Sequence, residues 1–398
     1  MAELVQQVQA MIAPQATLAL VGASMGGLCS RFALAHLEAQ AIPHRVRTWI
    51  SFDAPQAGAN IPLGLQYWIQ YFASQSVDAA AFLSLLDRPA AKQMLLYHFT
   101  TPPGATGVPD PLRTQLLAEL ALIGDYPSLT RRVGVANGNG SGLSQGFAPG
   151  AQLIRYEYSS LFLALTGNVW AVPDQTSRNI FVGSQRILFS TTGQTVNVSG
   201  TKPWDGSPGG SRASMAQLDA TTAPYGDIVA LHPSHSFIPT VSALAIATND
   251  PFFNVSAAPD LSAITPFDAV FHAALNEEHV VLSAASAEWI RNEILLGVLD
   301  APTTASPRGL SMSASPNPFS SSASVRLTLP RAAHVELRVY GVDGREVRRL
   351  MAGSLSAGTH SIAWDGRDTH GAATPPGLYL IRAAADGART IRRVAKLD

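Results

Sequence analysis

Ser24 stands in Gly22-Ala23-Ser24-Met25-Gly26, a Gly-x-Ser-x-Gly pattern. A serine hydroxyl attacks a carbonyl carbon once a base takes its proton and backbone N–H groups meet the oxyanion. The apolar run at 16–21 reads as a buried strand, and 28–37 reads as a helix. Strand, sharp turn and helix are the setting in which this pattern presents a nucleophile. The strained turn calls for small residues two before and two after the serine, here Gly22 and Gly26. The same spacing also serves a plain structural turn. If Ser24 is the nucleophile, the Met25 N–H is the expected oxyanion donor, and the helix N-terminus favours the charge that develops there.

Such a serine needs a base, and the base needs an orienting acid, in the chain order Ser, acid, His. His279, in Asn276-Glu277-Glu278-His279-Val280-Val281, precedes a helical stretch at 283–296 and is the leading base. His232 and His235, in His232-Pro233-Ser234-His235, compete as a second candidate base or a metal pair. Asp53 ends a strand at 45–52 and is the leading acid, because that strand is expected beside the elbow strand. Asp268, eleven residues before His279, and Asp227 are the rivals. Each of these carboxylates reads equally as a helix cap or a turn former.

Around these residues the chain reads as strands and helices in alternation. A helix at 1–12, aromatic and apolar helices over 62–126, a strand at 131–136 and alternating strands over 151–200 are all expected. The helices over 62–126 read either as a lid on the active-site edge of a sheet or as ordinary core. Asn137-Gly138-Asn139-Gly140 reads as a turn with left-handed positions; a calcium loop there would lack carboxylates. The loop Trp204-Asp205-Gly206-Ser207-Pro208-Gly209-Gly210 follows. Past a Pro-containing stretch at 300–307, short strands recur about every ten residues, the pattern of a β-sandwich.

The bulk numbers agree with a folded chain of more than one domain. Its 398 residues are 46% hydrophobic and 14% charged, with net charge −1. From Thr304 onward lysine and arginine outnumber carboxylates thirteen to seven, while the remainder is acidic, which supports a boundary near 303. Neither balance recruits nucleic acid, and no run reaches the ~18 apolar residues of a membrane span. The lone cysteine, Cys29, excludes an internal disulfide framework and reads as a buried thiol on the helix after the elbow. No signal peptide is legible at Met1-Ala2-Glu3-Leu4. No metal or organic cofactor is required by this chemistry.

The elbow, Asp53-Ala54-Pro55-Gln56-Ala57-Gly58-Ala59 and the Asn276–His279 segment together resemble the α/β-hydrolase superfamily, in its lipase and GPI-inositol-deacylase-like branch. The resemblance implies an α/β fold over 1–300: a partial hydrolase sheet, a helical lid insertion at 60–130 and a β-rich insertion at 151–215. It implies a serine hydrolase of carboxylic esters, with a lipid or other small apolar ester as substrate and Ser24, His279 and Asp53 as the triad, Asp268 being the alternative acid. In that family the elbow follows the fifth strand, so the chain is expected to be an N-terminal truncation, short of one oxyanion donor and weak as an enzyme. A non-catalytic surface binding protein on the same scaffold, or an amidase or deacylase, is the alternative.

The tail resembles a second family. Ser315-Pro316-Asn317-Pro318-Phe319, Val339-Tyr340-Gly341-Val342-Asp343-Gly344-Arg345, Trp364-Asp365-Gly366-Arg367-Asp368 and Gly377-Leu378-Tyr379 are similar to the Ig-like module of flagellar hook-capping proteins and to type IX secretion sorting domains. That resemblance implies a linker at 301–314 and an all-β Ig-like module at 315–398. It implies a secreted or cell-surface bacterial protein whose tail meets the secretion machinery or the cell surface, with Asp365 and Asp368 as turn formers.

Overall fold

The computed structural model describes residues 1–100, 109–220, 227–299, 310–329, 331–341, 344–385 and 388–397. The chain divides into two compact units, Met1–Leu299 and Asp300–Asp398. Most of the expected linker, 301–309, lies outside the described residues.

The first unit is built on a parallel sheet of four strands, β1 (Leu18–Ala23), β2 (Val46–Phe52), β3 (Arg131–Asn139) and β11 (Ala269–Ala273), in the order β1-β2-β3-β11. β2 is buried along nearly its whole length, as a strand covered on both faces must be. Successive β2 residues point to opposite faces. Trp49 packs with Leu34 and Leu37 of α2 (Met25–Ala39) and Val5 of α1 (Ala2–Met11). Ile50 and Phe52 pack with Ile290 of α9 (Ala284–Leu299) on the other side. The indole N–H of Trp49 donates to Ser30 Oγ of α2 at 2.8 Å, so the largest buried ring leaves no polar atom unpaired.

Between β2 and β3 lie α3 (Leu63–Phe72), α4 (Val77–Leu86), α5 (Pro89–Met94) and α6 (Pro111–Leu122). Ser76 caps α4 and Asp110 caps α6, whose first residue is proline. Between β3 and β11 the chain forms a second, antiparallel sheet from β4 (Gln152–Ser159), β5 (Leu163–Trp170), β6 (Arg178–Ile187), β7 (Ser190–Val198) and β9 (Ile228–Ala230), in the order β7-β6-β5-β4-β9. Trp68 and Phe72 of α3 pack in one cluster with Leu165, Val169 and Phe181 of this sheet. So close is the approach that a Cβ at Gly64 would overlap the Ile180 carbonyl. A two-stranded ribbon of β8 (Gly209–Arg212) and β10 (His235–Pro239), with α7 (Ser214–Asp219) and α8 (Thr240–Ala243), completes the unit.

The second unit is a pair of antiparallel sheets. One holds β12 (Ser311–Ser315), β13 (Ala323–Leu329) and β16 (Gly358–Trp364); the other runs β15 (Glu346–Leu355), β14 (Ala333–Gly341), β17 (Gly377–Ala385), β18 (Ala388–Lys396). Val335, Leu337 and Val339 alternate inward along β14 and meet Trp364, Val325 and Ile381 in one core. Trp364 also touches the rings of Phe319 and Tyr379, and its indole donates to the Arg367 carbonyl at 3.0 Å. Asp365 and Asp368 accept backbone N–H groups in the following turns, from Arg367 and from His370 and Ala372. Asp343 lies outside the described residues.

Candidate active site

Ser24 sits between β1 and α2 with φ +53° and ψ −130°, a backbone state that a serine adopts only when the surroundings impose it. The room around it is set by two glycines. A Cβ at Gly22 would stand 2.5 Å from the Gly26 carbonyl oxygen and 2.6 Å from Ser30 Oγ, and one at Gly27 would overlap the Ala54 methyl. A Cβ at Gly26 would meet nothing within 4 Å. The expected steric demand therefore falls on Gly22 and Gly27 rather than on Gly26, because the turn packs its far side against Ala54 and Ser51 behind the sheet end.

The strand order brings Ser24 at the end of β1 beside Asp53 at the end of β2. The His279 loop follows β11 and reaches over both. His279 Nε2 lies 2.9 Å from Ser24 Oγ, and its Nδ1 lies 2.7 Å from Asp53 Oδ2. Since a carboxylate only accepts, Nδ1–H donates to Asp53, and Nε2 is left as the acceptor for the serine proton. Asp53 is fully buried, and its other oxygen accepts the Asn137 N–H at 3.0 Å. Ser24, Asp53 (φ +43°) and Val280 (φ +56°), which follows the histidine, all hold left-handed backbone. Strain of this kind gathers where geometry is over-determined.

The His279 loop is held mainly by backbone. Its N–H donates to the Ser211 carbonyl of β8 at 2.8 Å, and Ser211 N–H donates to Glu277 O at 2.8 Å. Asn137 Nδ2 donates to the Val281 carbonyl at 2.7 Å and to Glu277 at 3.0 Å. Asn276 Oδ1 accepts N–H groups from Asn139 and Gly209, tying the loop to β3 and β8 at once. The Phe237 ring stands edge-on to the imidazole, 4.9 Å between centroids. The Met25 N–H is the first of α2 and so has no intrahelical acceptor, which leaves it free to meet an anion at Ser24.

The rival residues lie elsewhere. Asp268 pairs with Arg132 at 3.2 Å and accepts its backbone N–H at 2.8 Å, pinning the start of β11 to β3. Asp227 is exposed. His232 lies tilted against the Phe147 ring, while His235 is buried between Ser214 Oγ, at 3.1 Å, and the Ser236 carbonyl, at 2.9 Å. They have separate partners, so they do not act as a metal pair. Among the described residues no group of three or more His, Cys, Asp or Glu is arranged to hold a metal ion. Cys29 is exposed, not buried, since α2 turns that side away from the sheet.

Sequence reasoning gives no site role to Asn137, Asn276, Ser211, Phe237 or Gly210. The expected turn at Asn137-Gly138-Asn139-Gly140 is instead the end of β3. Its glycines serve close approach, since a Cβ at Gly138 would stand 2.5 Å from Gly209 N and one at Gly140 would stand 2.5 Å from the His272 ring. Gly210 leaves space for the Asp53 carboxylate in the same way. The repeated small residues in these two stretches were the available signal, but they read as turns.

Asp205 and His235 are also fully buried in this unit. Burial pushes the Asp205 carboxyl up to about 6, against the lowering effect of N–H donors from Asn60 and Val172. Burial pushes the His235 imidazole down to about 4.

Comparison with known proteins places the second unit. Residues 316–389 match the FlgD Ig-like domain. A 48-residue stretch is 46% identical to the basal-body rod modification protein FlgD of Salmonella typhimurium, 12% of this chain and 21% of that protein. The chain thus spans about a fifth of the length of the curated relatives it matches. The solved FlgD of P. aeruginosa aligns at 27% identity over 24% of this chain and 75% of that one, with a TM-score of 0.18. FlgD of Xanthomonas campestris aligns at 28% identity over 22% and 64%, with a TM-score of 0.17. The C-terminal unit is a FlgD Ig-like domain, joined here to a unit of mixed helices and sheets. Among the described residues no helix is long and apolar enough to cross a membrane.

Proposed function

We propose that the first unit is a serine hydrolase of the α/β-hydrolase type, in the lipase and GPI-inositol-deacylase-like branch, that cleaves carboxylic esters. One observation carries this reading: the unbroken chain from Ser24 Oγ through His279 to Asp53, at 2.9 and 2.7 Å. The Ser24 hydroxyl attacks the ester carbonyl as its proton passes to His279 Nε2. The Met25 N–H receives the oxyanion, and Asp53 stabilises the imidazolium without taking its proton. His279 then protonates the leaving alcohol. Water, deprotonated by the same imidazole, releases the acid and restores the serine. A fluorophosphonate probe tests the reading directly: it should label the wild-type protein and fail on Ser24→Ala. Equal labelling of both would reject it.

The FlgD Ig-like domain adds a location to this reading. A domain of that family on the tail supports a bacterial protein that works outside the cytoplasm, with the tail as the part read by an export system or a surface assembly. Deleting 310–398 should then leave probe labelling intact while shifting the protein from the medium or surface to the cell interior. An unchanged distribution would remove the tail from export.

A further inference from the structure

The His279 loop leans on β8, and the last residue of that strand, Arg212, has no part in the triad. Side chains alternate across a strand, so Gly210 and Arg212 share one face and Ser211 takes the other. Two contacts fix which face is which. A Cβ at Gly210 would run into the Asp53 carboxylate, so the side of 210 and 212 is the side of the triad. Ser211 pairs with Glu278 in parallel, which puts Glu278 on the side of Ser211 and His279 on the side of Arg212. Arg212 thus leaves the strand ~7 Å from Gly210, facing the same way as the imidazole.

The guanidinium of Arg212 stands over the Phe237 ring, 5.4 Å from its centroid, and the same ring meets the imidazole of His279 at 4.9 Å. Laid end to end, these two distances keep the cation within about 10 Å of the imidazole. The ring is itself held in place. Phe237 O accepts the Asn60 N–H at 2.7 Å, and Ser236 O accepts Asn60 Nδ2 at 3.1 Å. Arg31, Arg131 and Arg132 of the same unit each face a carboxylate, of Asp125, Glu293 and Asp268. Arg212 is exposed and pairs with none among the described residues. An exposed arginine is ordinarily served by water alone. This one is set on an aromatic platform beside the base, with its donors unused by the protein.

We infer that Arg212 selects the substrate, so that the enzyme prefers esters carrying a second, anionic group, a carboxylate or a phosphate, within reach of the guanidinium. The inference rests on the hydrolase reading above and narrows it. With the ester carbonyl at Ser24 Oγ, the anion lies several bonds away, and the guanidinium fork takes either oxyanion through two parallel N–H bonds. At a wet rim such a contact strengthens binding by about five- to tenfold. Salt screens it, and a neutral ester feels no such screening.

The experiment follows proton release at constant pH from acetate esters of matched length: butyl acetate, 4-acetoxybutyrate and 3-acetoxypropyl phosphate. Carboxylate and phosphate are thereby read apart. At least one anionic ester should exceed butyl acetate by about fivefold or more in kcat/KM, chiefly through KM, and the excess should shrink at high salt. Arg212→Gln should bring that ratio close to one, and Arg212→Lys should restore part of it. Arg212→Glu should invert it in favour of butyl acetate, with circular dichroism reporting the fold of each variant. Ser24-dependent turnover with no anionic preference, or with a preference that Arg212→Gln leaves unmoved, overturns the role of Arg212 and leaves the hydrolase standing. No turnover of any of these esters, or turnover unaffected by Ser24→Ala, overturns both.

Discussion

The backbone of Gly210 lies against the carboxylate of Asp53, so near that a Cβ built at 210 would overlap Oδ2. The residue thus fixes how far Asp53 sits from His279 without touching the imidazole. Gly210→Ala must push Asp53 or β8 aside. We expect kcat on a p-nitrophenyl ester to fall about tenfold or more, with KM little changed, because the loss is of orientation. Overpacking of this kind also costs about 1–3 kcal/mol of stability, read from urea unfolding. Full activity in a folded Gly210→Ala protein would show that the contact is slack.

Asp53 and Asp268 make opposite predictions. Asp53→Asn keeps the shape but removes the acceptor that holds Nδ1–H, so the wrong tautomer faces Ser24. Turnover should drop by about three to four orders of magnitude. Asp268→Asn loosens an ion pair that is one-third exposed on both sides, worth about 0–1 kcal/mol, and should leave fluorophosphonate labelling within twofold. Reversed effects in a labelling-rate assay would reassign the acid.

The elbow glycines are not equivalent. Gly26→Ala adds a methyl group where nothing stands within 4 Å, inside the first turn of a helix that prefers alanine. It should stabilise the unit by about 0.5–1 kcal/mol. Gly22→Ala drives a methyl group into the Gly26 carbonyl and should destabilise by several times that amount. Thermal melts of the two variants give the comparison, and equal midpoints would contradict it.

The buried pair His235 and Asp205 gives stability a pH dependence with two opposing parts. Above about 6.5 His235 is neutral in both the folded and unfolded chain. As pH falls from there to about 4 the unfolded chain takes a proton that the buried imidazole refuses, so stability is lost. Asp205 is ionised in both states above about 6. As pH falls from there towards 3.8 the folded chain takes the proton first, so stability is gained. Each part is on the order of 3 kcal/mol. Subtracting urea unfolding energies of His235→Asn from wild type isolates the histidine: the difference should shrink on going from pH 7 to pH 4. A difference independent of pH would mean that His235 titrates normally.

How much of this was legible follows from how local each feature is. β1, the elbow and α2 are written in consecutive residues, and 16–21 and 28–37 predict them within a few positions of Leu18–Ala23 and Met25–Ala39. The adjacency of β1 and β2 is a property of the sheet, so the sequence left Asp53 and Asp268 as rivals; the register that pairs Ala23 with Phe52 decides where Asp53 stands. Asn137-Gly138-Asn139-Gly140 was read as a turn because glycine signals conformational freedom as readily as close approach. Only the ribbon folded back at Gly209 tells the two apart. Cys29 reads as buried because small residues on such a helix usually face the sheet, whereas this one is exposed.

Ser24, Asp53 and His279 follow strands of one four-stranded sheet, yet among the described residues the chain between Asp53 and His279 carries six α-helices and a whole second sheet. Lengthening such an excursion adds little closure entropy, since the penalty grows only with the logarithm of its length. The excursion therefore divides into a part the triad leans on and a part it does not. Exchanging β4 to β7 while keeping the β8 ribbon against Asp53 and His279 would leave the serine, its base and its carboxylate where they are.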